Sequence, residues 1–264
     1  MSLTYMKIGS GPPLVFVHGL AGSNRWWARN SRVLSTEFTV YLVDLPGRRG
    51  EVSDEWPLED LVATLPAWMD EMPFERVHLV GHSLGGYISL HLAATQPERV
   101  RRLALIDSVG VPIRTTTLGM MRRVIRGIPH GSPSFIPTVV QDGLRMGAPT
   151  LLRLTREILA VDARPLLRQI EAPTLVLWGT RDTVLPPKLG MRMADLIPNA
   201  SFHLIPRAGH NAMADRPVAV NRHLRGFFES GEVPADMAPR EPARPAPADE
   251  RPESEETKHA PTTS

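Results

Sequence analysis

The chain has 264 residues, 42% of them hydrophobic and 22% charged, with a formal net charge of +2 and no cysteine. That length and balance suit one large globular domain with a sizeable core, and the missing cysteine excludes disulfides, thiolate metal sites and a cysteine nucleophile. The small charge, without interleaved basic and aromatic residues, argues against a nucleic-acid partner, and no uninterrupted apolar run reaches the roughly 18 residues of a membrane helix.

Residues 1–11 hold one lysine and no apolar stretch of the roughly 7–15 residues found in a secretory signal, so a cytoplasmic location and no membrane span are expected. An edge strand is predicted over 3–8 and a buried strand over 14–18, followed by a helix over 25–35 and a strand over 40–44. A helix over 58–72 leads to a strand over 77–81, a helix over 84–96 and a strand over 103–107. Residues 109–170 then show helical spacing with no strand, which reads as a helical cap inserted beside a sheet. Beyond it come a strand over 174–179, a helix over 187–196, a strand over 202–205 and a helix over 217–229. Alternating β-rich apolar runs and helices predict an α/β fold, a doubly wound and mostly parallel sheet with helices on both faces. Residues 1–108 and 171–230 would form the core. From 231 to 264 there are seven prolines and eight acids but no Ile, Leu, Phe, Trp or Tyr, the composition of a disordered tail.

At the end of the 77–81 strand, Gly81-His82-Ser83-Leu84-Gly85-Gly86 sets a serine between a strand and a helix, with glycines two residues to each side. That is the pattern of a nucleophile elbow. So sharp a turn implies strained torsions at the serine, and the close passage of strand and helix requires neighbours without Cβ. The helix starting at Leu84 points free N–H groups and its positive dipole at the place where an oxyanion would form. Alone, G-x-S-x-G is a weak signal, because a serine before a helix is commonly an N-cap.

Three further segments strengthen it: His18-Gly19-Leu20-Ala21-Gly22 after an early strand, Gly179-Thr180-Arg181-Asp182 followed by Leu185-Pro186-Pro187 after a late one, and Ala208-Gly209-His210-Asn211-Ala212 before the last helix. Together with the elbow, these segments resemble the esterase and lipase-like branch of the α/β-hydrolase superfamily over roughly residues 11–230. The resemblance implies Ser83 as nucleophile, His210 as general base and Asp182 as the acid that orients it, in the chain order this fold uses. It also implies an oxyanion hole from the N–H groups of Leu20 and Leu84. A serine hydroxyl needs such a base because it is scarcely ionised near neutral pH.

Asp107, at the end of the 103–107 strand, is the rival acid, but it reads more simply as a capping residue at the entry to the cap. Asp44 reads as a structural turn residue, and Arg48-Arg49-Gly50 stands where the family often has a His-Gly pair. His18 and His82 flank the site and read as packed or hydrogen-bonded beside the glycine turns; His78, His91, His203 and His223 fall within predicted elements. Trp26 and Trp27 read as core, with an acyl pocket as the alternative, and Met120, Met121 and Met146 as packing of the cap. Residues 110–170 hold nine arginines against three acids, either solvated helix faces or a cleft entrance that favours anionic substrates.

No residues have metal-site spacing and no phosphate loop occurs, so neither metal nor cofactor is expected. The expected function is hydrolysis of a small-molecule carboxylic ester, lactone or thioester through an acyl-enzyme on Ser83. The alternatives are a carbon–carbon hydrolase of diketones, against which Asn211 speaks, and a small-molecule receptor that does not turn over. The sequence sets no oligomeric state.

Overall fold

The computed structural model describes residues 3–46 and 57–230. The segments predicted as a departing Arg48-Arg49-Gly50 loop and as a disordered tail lie outside the described residues. Seven strands run through the rest: β1 (Thr4–Ile8), β2 (Pro13–Val17), β3 (Thr39–Asp44), β4 (Val77–His82), β5 (Val100–Ile106), β6 (Thr174–Gly179) and β7 (Ala200–Ile205). They form one sheet in the order β1-β3-β2-β4-β5-β6-β7. Only β1 is antiparallel to its neighbour, pairing Tyr5 with Val43 on β3; the remaining pairings are parallel. This is the doubly wound, mostly parallel α/β fold expected from the sequence.

The near-continuous apolar runs of β4 and β6 are buried along their whole length because helices cover both faces. On one face lie α1 (Ala28–Leu34) and α10 (Pro217–Ser230), and the side chains of Leu34, Val220, Leu224, Phe227 and Phe228 close a core over β2, β3 and β5. The other face is covered by α2 (Leu58–Asp70), α3 (Leu84–Thr95), α7 (Arg164–Leu167) and α8 (Lys188–Leu196), around Leu65, Trp68, Ile88, Leu103 and Trp178. The predicted 25–35 helix begins as a 3-10 turn at Asn24–Trp27 before α1. Trp26 and Trp27 both belong to the first core.

Between β5 and β6 the chain inserts α4 (Thr117–Gly127), a 3-10 turn at Ile128–His130, α5 (Ile136–Met146), α6 (Ala148–Ala160) and α7. Met120, Met146, Leu154 and Ile158 of the insert join the core of the α3 face, whereas Met121 points to solvent. Glu157 on α6 reaches the start of α2, where its Oε2 accepts the Leu58 N–H at 2.6 Å. Because β2, β4, β6 and β7 are parallel, the loops that leave their C-terminal ends meet at one edge of the sheet. That edge is where ligands bind in open α/β sheets.

Candidate active site

Ser83 sits between β4 and α3 with φ 51° and ψ −116°, a left-handed backbone that a side-chain-bearing residue adopts only under constraint. The constraint is visible. Its N–H donates to the Ile106 carbonyl at 3.1 Å, and its own carbonyl accepts the N–H groups of Tyr87 and Val109. Gly85 explains how β2 can pass so close: any Cβ there would collide with the carbonyl oxygens of Val17 and His18.

His210, in the loop after β7, places Nε2 3.1 Å from Ser83 Oγ and Nδ1 2.8 Å from Asp182 Oδ2. A carboxylate oxygen can only accept, so Nδ1 carries the proton and the Nε2 lone pair faces the serine hydroxyl. The other oxygen of Asp182, Oδ1, accepts the N–H groups of Val184 and Leu185 at 2.8 and 2.9 Å, which fixes the carboxylate plane. A histidine held between a buried carboxylate and a hydroxyl can take the hydroxyl proton as the oxygen attacks an electrophile. Ser83, Asp182 and His210 are thus brought into one hydrogen-bonded chain.

Leu20 and Leu84 both line the cleft beside it. The loop carrying Leu20 is pressed onto the serine: a Cβ on Gly19 would lie 3.0 Å from Ser83 Cβ and 2.8 Å from His82 Nδ1. Ala21, next in that loop, has φ 55°. His18 anchors the loop from below, its Nδ1 donating to the Gly19 carbonyl and its Nε2 accepting the Leu45 N–H at 3.0 Å. Burial pushes the His18 imidazole below its ordinary value, consistent with this neutral form. Asp44, beside it, accepts both the backbone and the side-chain N–H of Asn24.

Asp107 is not bonded to His210, and it does not cap the insert as the sequence suggested. It is buried with φ 45°. Its Oδ1 accepts the Gly179 N–H at 2.8 Å and its Oδ2 the Ala212 N–H at 3.1 Å, tying the end of β6 to α9 (Ala212–Asp215), the short helix after His210. Burial, and then the nearby Asp182, push its carboxyl up, while the two N–H groups pull it down.

His82 hydrogen-bonds beyond its own glycine turn. Its Nε2 donates to the His210 carbonyl at 2.9 Å, so the elbow itself holds the histidine loop. Burial, with His210 adjacent, drives its imidazole well below the ordinary range and keeps it neutral. Asp215 completes the support by accepting the Gly209 and Ser132 N–H groups at 2.8 and 2.7 Å.

The insert is tied to the loop after β2 through Asp142 on α5. This buried carboxylate accepts Ser23 Oγ at 2.7 Å and Trp26 Nε1 at 3.0 Å, and pairs with Arg25 and Arg145. Of the nine insert arginines, Arg145 lines the cleft, together with Met146 and Leu154. Sequence reasoning passed over Asp142; its signal was slight, a lone acid in an arginine-rich stretch. Among the described residues no cluster of His, Asp or Glu could hold a metal ion, and no described helix is long and apolar enough to cross a membrane.

A fold of this topology with a serine elbow defines the alpha/beta hydrolases, and a family model of that description matches residues 14–223. The chain belongs to the alpha/beta hydrolase family. It is 31% identical to a pimeloyl-[acyl-carrier protein] methyl ester esterase of Chromobacterium violaceum, over 80% of this chain and 91% of that one. It is 27% identical to a 2-hydroxy-6-oxononadienedioate/2-hydroxy-6-oxononatrienedioate hydrolase of Cupriavidus pinatubonensis, over 81% and 86%. A dihydrolipoyllysine-residue acetyltransferase component of the acetoin cleaving system of Pseudomonas putida is 28% identical over 86% of this chain, which spans 66% of that longer protein. The solved structure of a thermophilic esterase from Thermogutta terrifontis superposes with a TM-score of 0.73 at 24% identity, covering 86% of this chain and 93% of the other. At that identity the likeness concerns the fold.

Proposed function

We propose that the protein is a serine hydrolase that cleaves a small-molecule carboxylic ester, lactone or thioester through an acyl-enzyme on Ser83. The observation that carries this reading is the chain from Ser83 Oγ to His210 Nε2 and from His210 Nδ1 to Asp182, with bond lengths of 3.1 and 2.8 Å. As Ser83 Oγ attacks the carbonyl carbon, its proton moves to His210 Nε2, and Asp182 stabilises the imidazolium. The carbonyl oxygen, now negative, lies against the N–H groups of Leu20 and Leu84, each worth about 3 kcal/mol in the transition state. Collapse breaks the ester C–O bond, and His210 returns the proton to the departing alkoxide. A water then repeats the sequence, yielding the acid and free Ser83. The insert would serve as the cap, with Met146 and Leu154 facing the acyl chain and neither metal nor cofactor taking part.

A second reading, a carbon–carbon hydrolase of diketone substrates, is favoured by the likeness to the oxononadienedioate hydrolase. Asn211 directly after His210 speaks against it. Labelling with a fluorophosphonate probe, followed by a panel of aryl esters of increasing acyl length and one vinylogous diketone, separates the two. Ser83→Ala is expected to abolish labelling and lower ester turnover by several orders of magnitude while the fold persists. Labelling at another residue, or turnover of the diketone alone, would overturn the ester reading. A single turnover without further product would indicate a receptor.

A further inference from the structure

Five of the exposed large apolar side chains among the described residues lie within one short stretch: Leu118, Met121, Val124 and Ile125 on α4, and Ile128 just after it. Leu118 is 57% and Ile125 63% exposed. At 100° per residue these five occupy an arc of about 120° on the helix surface. Arg122 and Arg126, both exposed, follow on the solvent side of that arc. The helix cannot rotate to hide the stripe, because its other side is pinned: the Arg123 carbonyl accepts Thr183 Oγ1 at 2.9 Å, Arg123 Nη1 donates to the Val184 carbonyl, and Met120 is buried.

We infer that this face of α4 docks on an anionic lipid surface. An apolar stripe bordered by arginines on a helix of low net hydrophobicity is the chemistry of a helix that lies in a membrane interface. From residue 108 to 141 the sequence contains no acid, while Arg114, Arg122, Arg123 and Arg126 are all present, so the charge complements anionic headgroups. The same charge disfavours a second copy, since a twofold contact would oppose identical arginines. The stripe is wholly aliphatic or thioether, without the aromatic anchors that dominate protein interfaces. The 231–264 segment, with eight acids but no large aliphatic residue beyond one valine and one methionine, matches the arginines but not the stripe.

The test uses the full chain and flotation with phosphatidylcholine vesicles, with and without 30% (about one lipid in three) phosphatidylserine, an anionic share high enough to set a negative surface potential. Binding to the anionic vesicles is expected, weakening as salt is raised past about 0.15 M, where the Debye length is about 8 Å. Ile125→Glu should lower the partition coefficient at least about tenfold, and Arg122→Gln with Arg126→Gln about fivefold for each arginine. Val218→Glu, at a highly exposed position on α10, should leave binding unchanged. Hydrolysis of a water-soluble aryl ester should be the same in all of these variants, which verifies their folding and keeps the lipid surface separate from the chemistry at Ser83. Absence of vesicle binding, or binding that Ile125→Glu leaves intact, overturns the inference. So does a concentration-dependent dimer that Ile125→Glu dissociates, which would assign the face to a second copy.

Discussion

Replacing Asp182 with asparagine exchanges one carboxylate oxygen for an NH2 group, and the surroundings decide which. Oδ1 accepts two backbone N–H groups, from Val184 and Leu185, and an NH2 there would face both donors. The amide oxygen therefore takes that place, and the NH2 turns toward His210 Nδ1, 2.8 Å away. Nδ1 must then accept, and the proton moves to Nε2, where it points at Ser83 Oγ and blocks proton transfer. The expected result is a fall in turnover of about 10⁴, or roughly 5 kcal/mol of transition-state stabilisation, with little loss of stability. Asp107→Asn behaves differently. It leaves one buried N–H, of Gly179 or Ala212, facing an NH2 group, which costs about 1–3 kcal/mol of stability. Any small shift of the histidine loop would lower turnover by about 10² at most. Steady-state kinetics on an activated aryl ester, with thermal melts of both variants, measures the two effects. If Asp107→Asn lost more turnover than Asp182→Asn, the assignment of Asp182 as the orienting acid would be refuted.

Gly85→Ala should prevent stable folding or lower the melting temperature sharply, because the added methyl group meets the backbone of Val17 and His18 rather than a movable side chain; circular dichroism on heating decides. Asp142→Ala leaves the buried Trp26 and Ser23 donors unpaired and should cost about 1–3 kcal/mol in chemical denaturation. If Leu20 donates to the oxyanion, the same variant should also lower kcat more than it raises KM. His78 lies between Phe38 and Phe228, and burial, reinforced by Arg101, Arg102 and Arg76, pushes its imidazole down to about 4. The unfolded chain, with an ordinary value of about 6.5, takes up the proton first, so stability is lost as pH falls from about 6.5 toward 4. His78→Gln should flatten the fall in melting temperature between pH 7 and pH 5, and an unchanged slope would count against the burial argument; His18 and His82 act in the same direction.

The strands and the pattern of the candidate site were legible because their causes are local. A parallel strand covered on both faces is mostly apolar, so β6 announces itself through Leu175-Val176-Leu177-Trp178 and β4 through Val77, Leu79 and Val80. A serine elbow needs glycines at fixed offsets, so Gly81, Gly85 and Ser83 could be read together. Trp26 and Trp27 could be placed in the core only because large aromatic side chains are most often buried, and both are.

What escaped the sequence depends on partners far along the chain. Asp107 looked like a cap for the segment that follows it, because capping is a local rule. Its two donors are instead Gly179, 72 residues on, and Ala212, 105 residues on. His82 read as packed or hydrogen-bonded beside its own turn, and nothing adjacent reveals that its Nε2 meets the His210 carbonyl across 128 residues. Asp142 meets Ser23 across 119. These three residues share a logic: each is a buried polar group whose desolvation must be offset by a partner, and each found that partner in a different loop of the same sheet edge. A buried histidine or aspartate near this sheet edge is therefore better read as a cross-link between loops than as filler. Its partner follows from topology, because parallel strands that end on one edge leave only the neighbouring loops within reach.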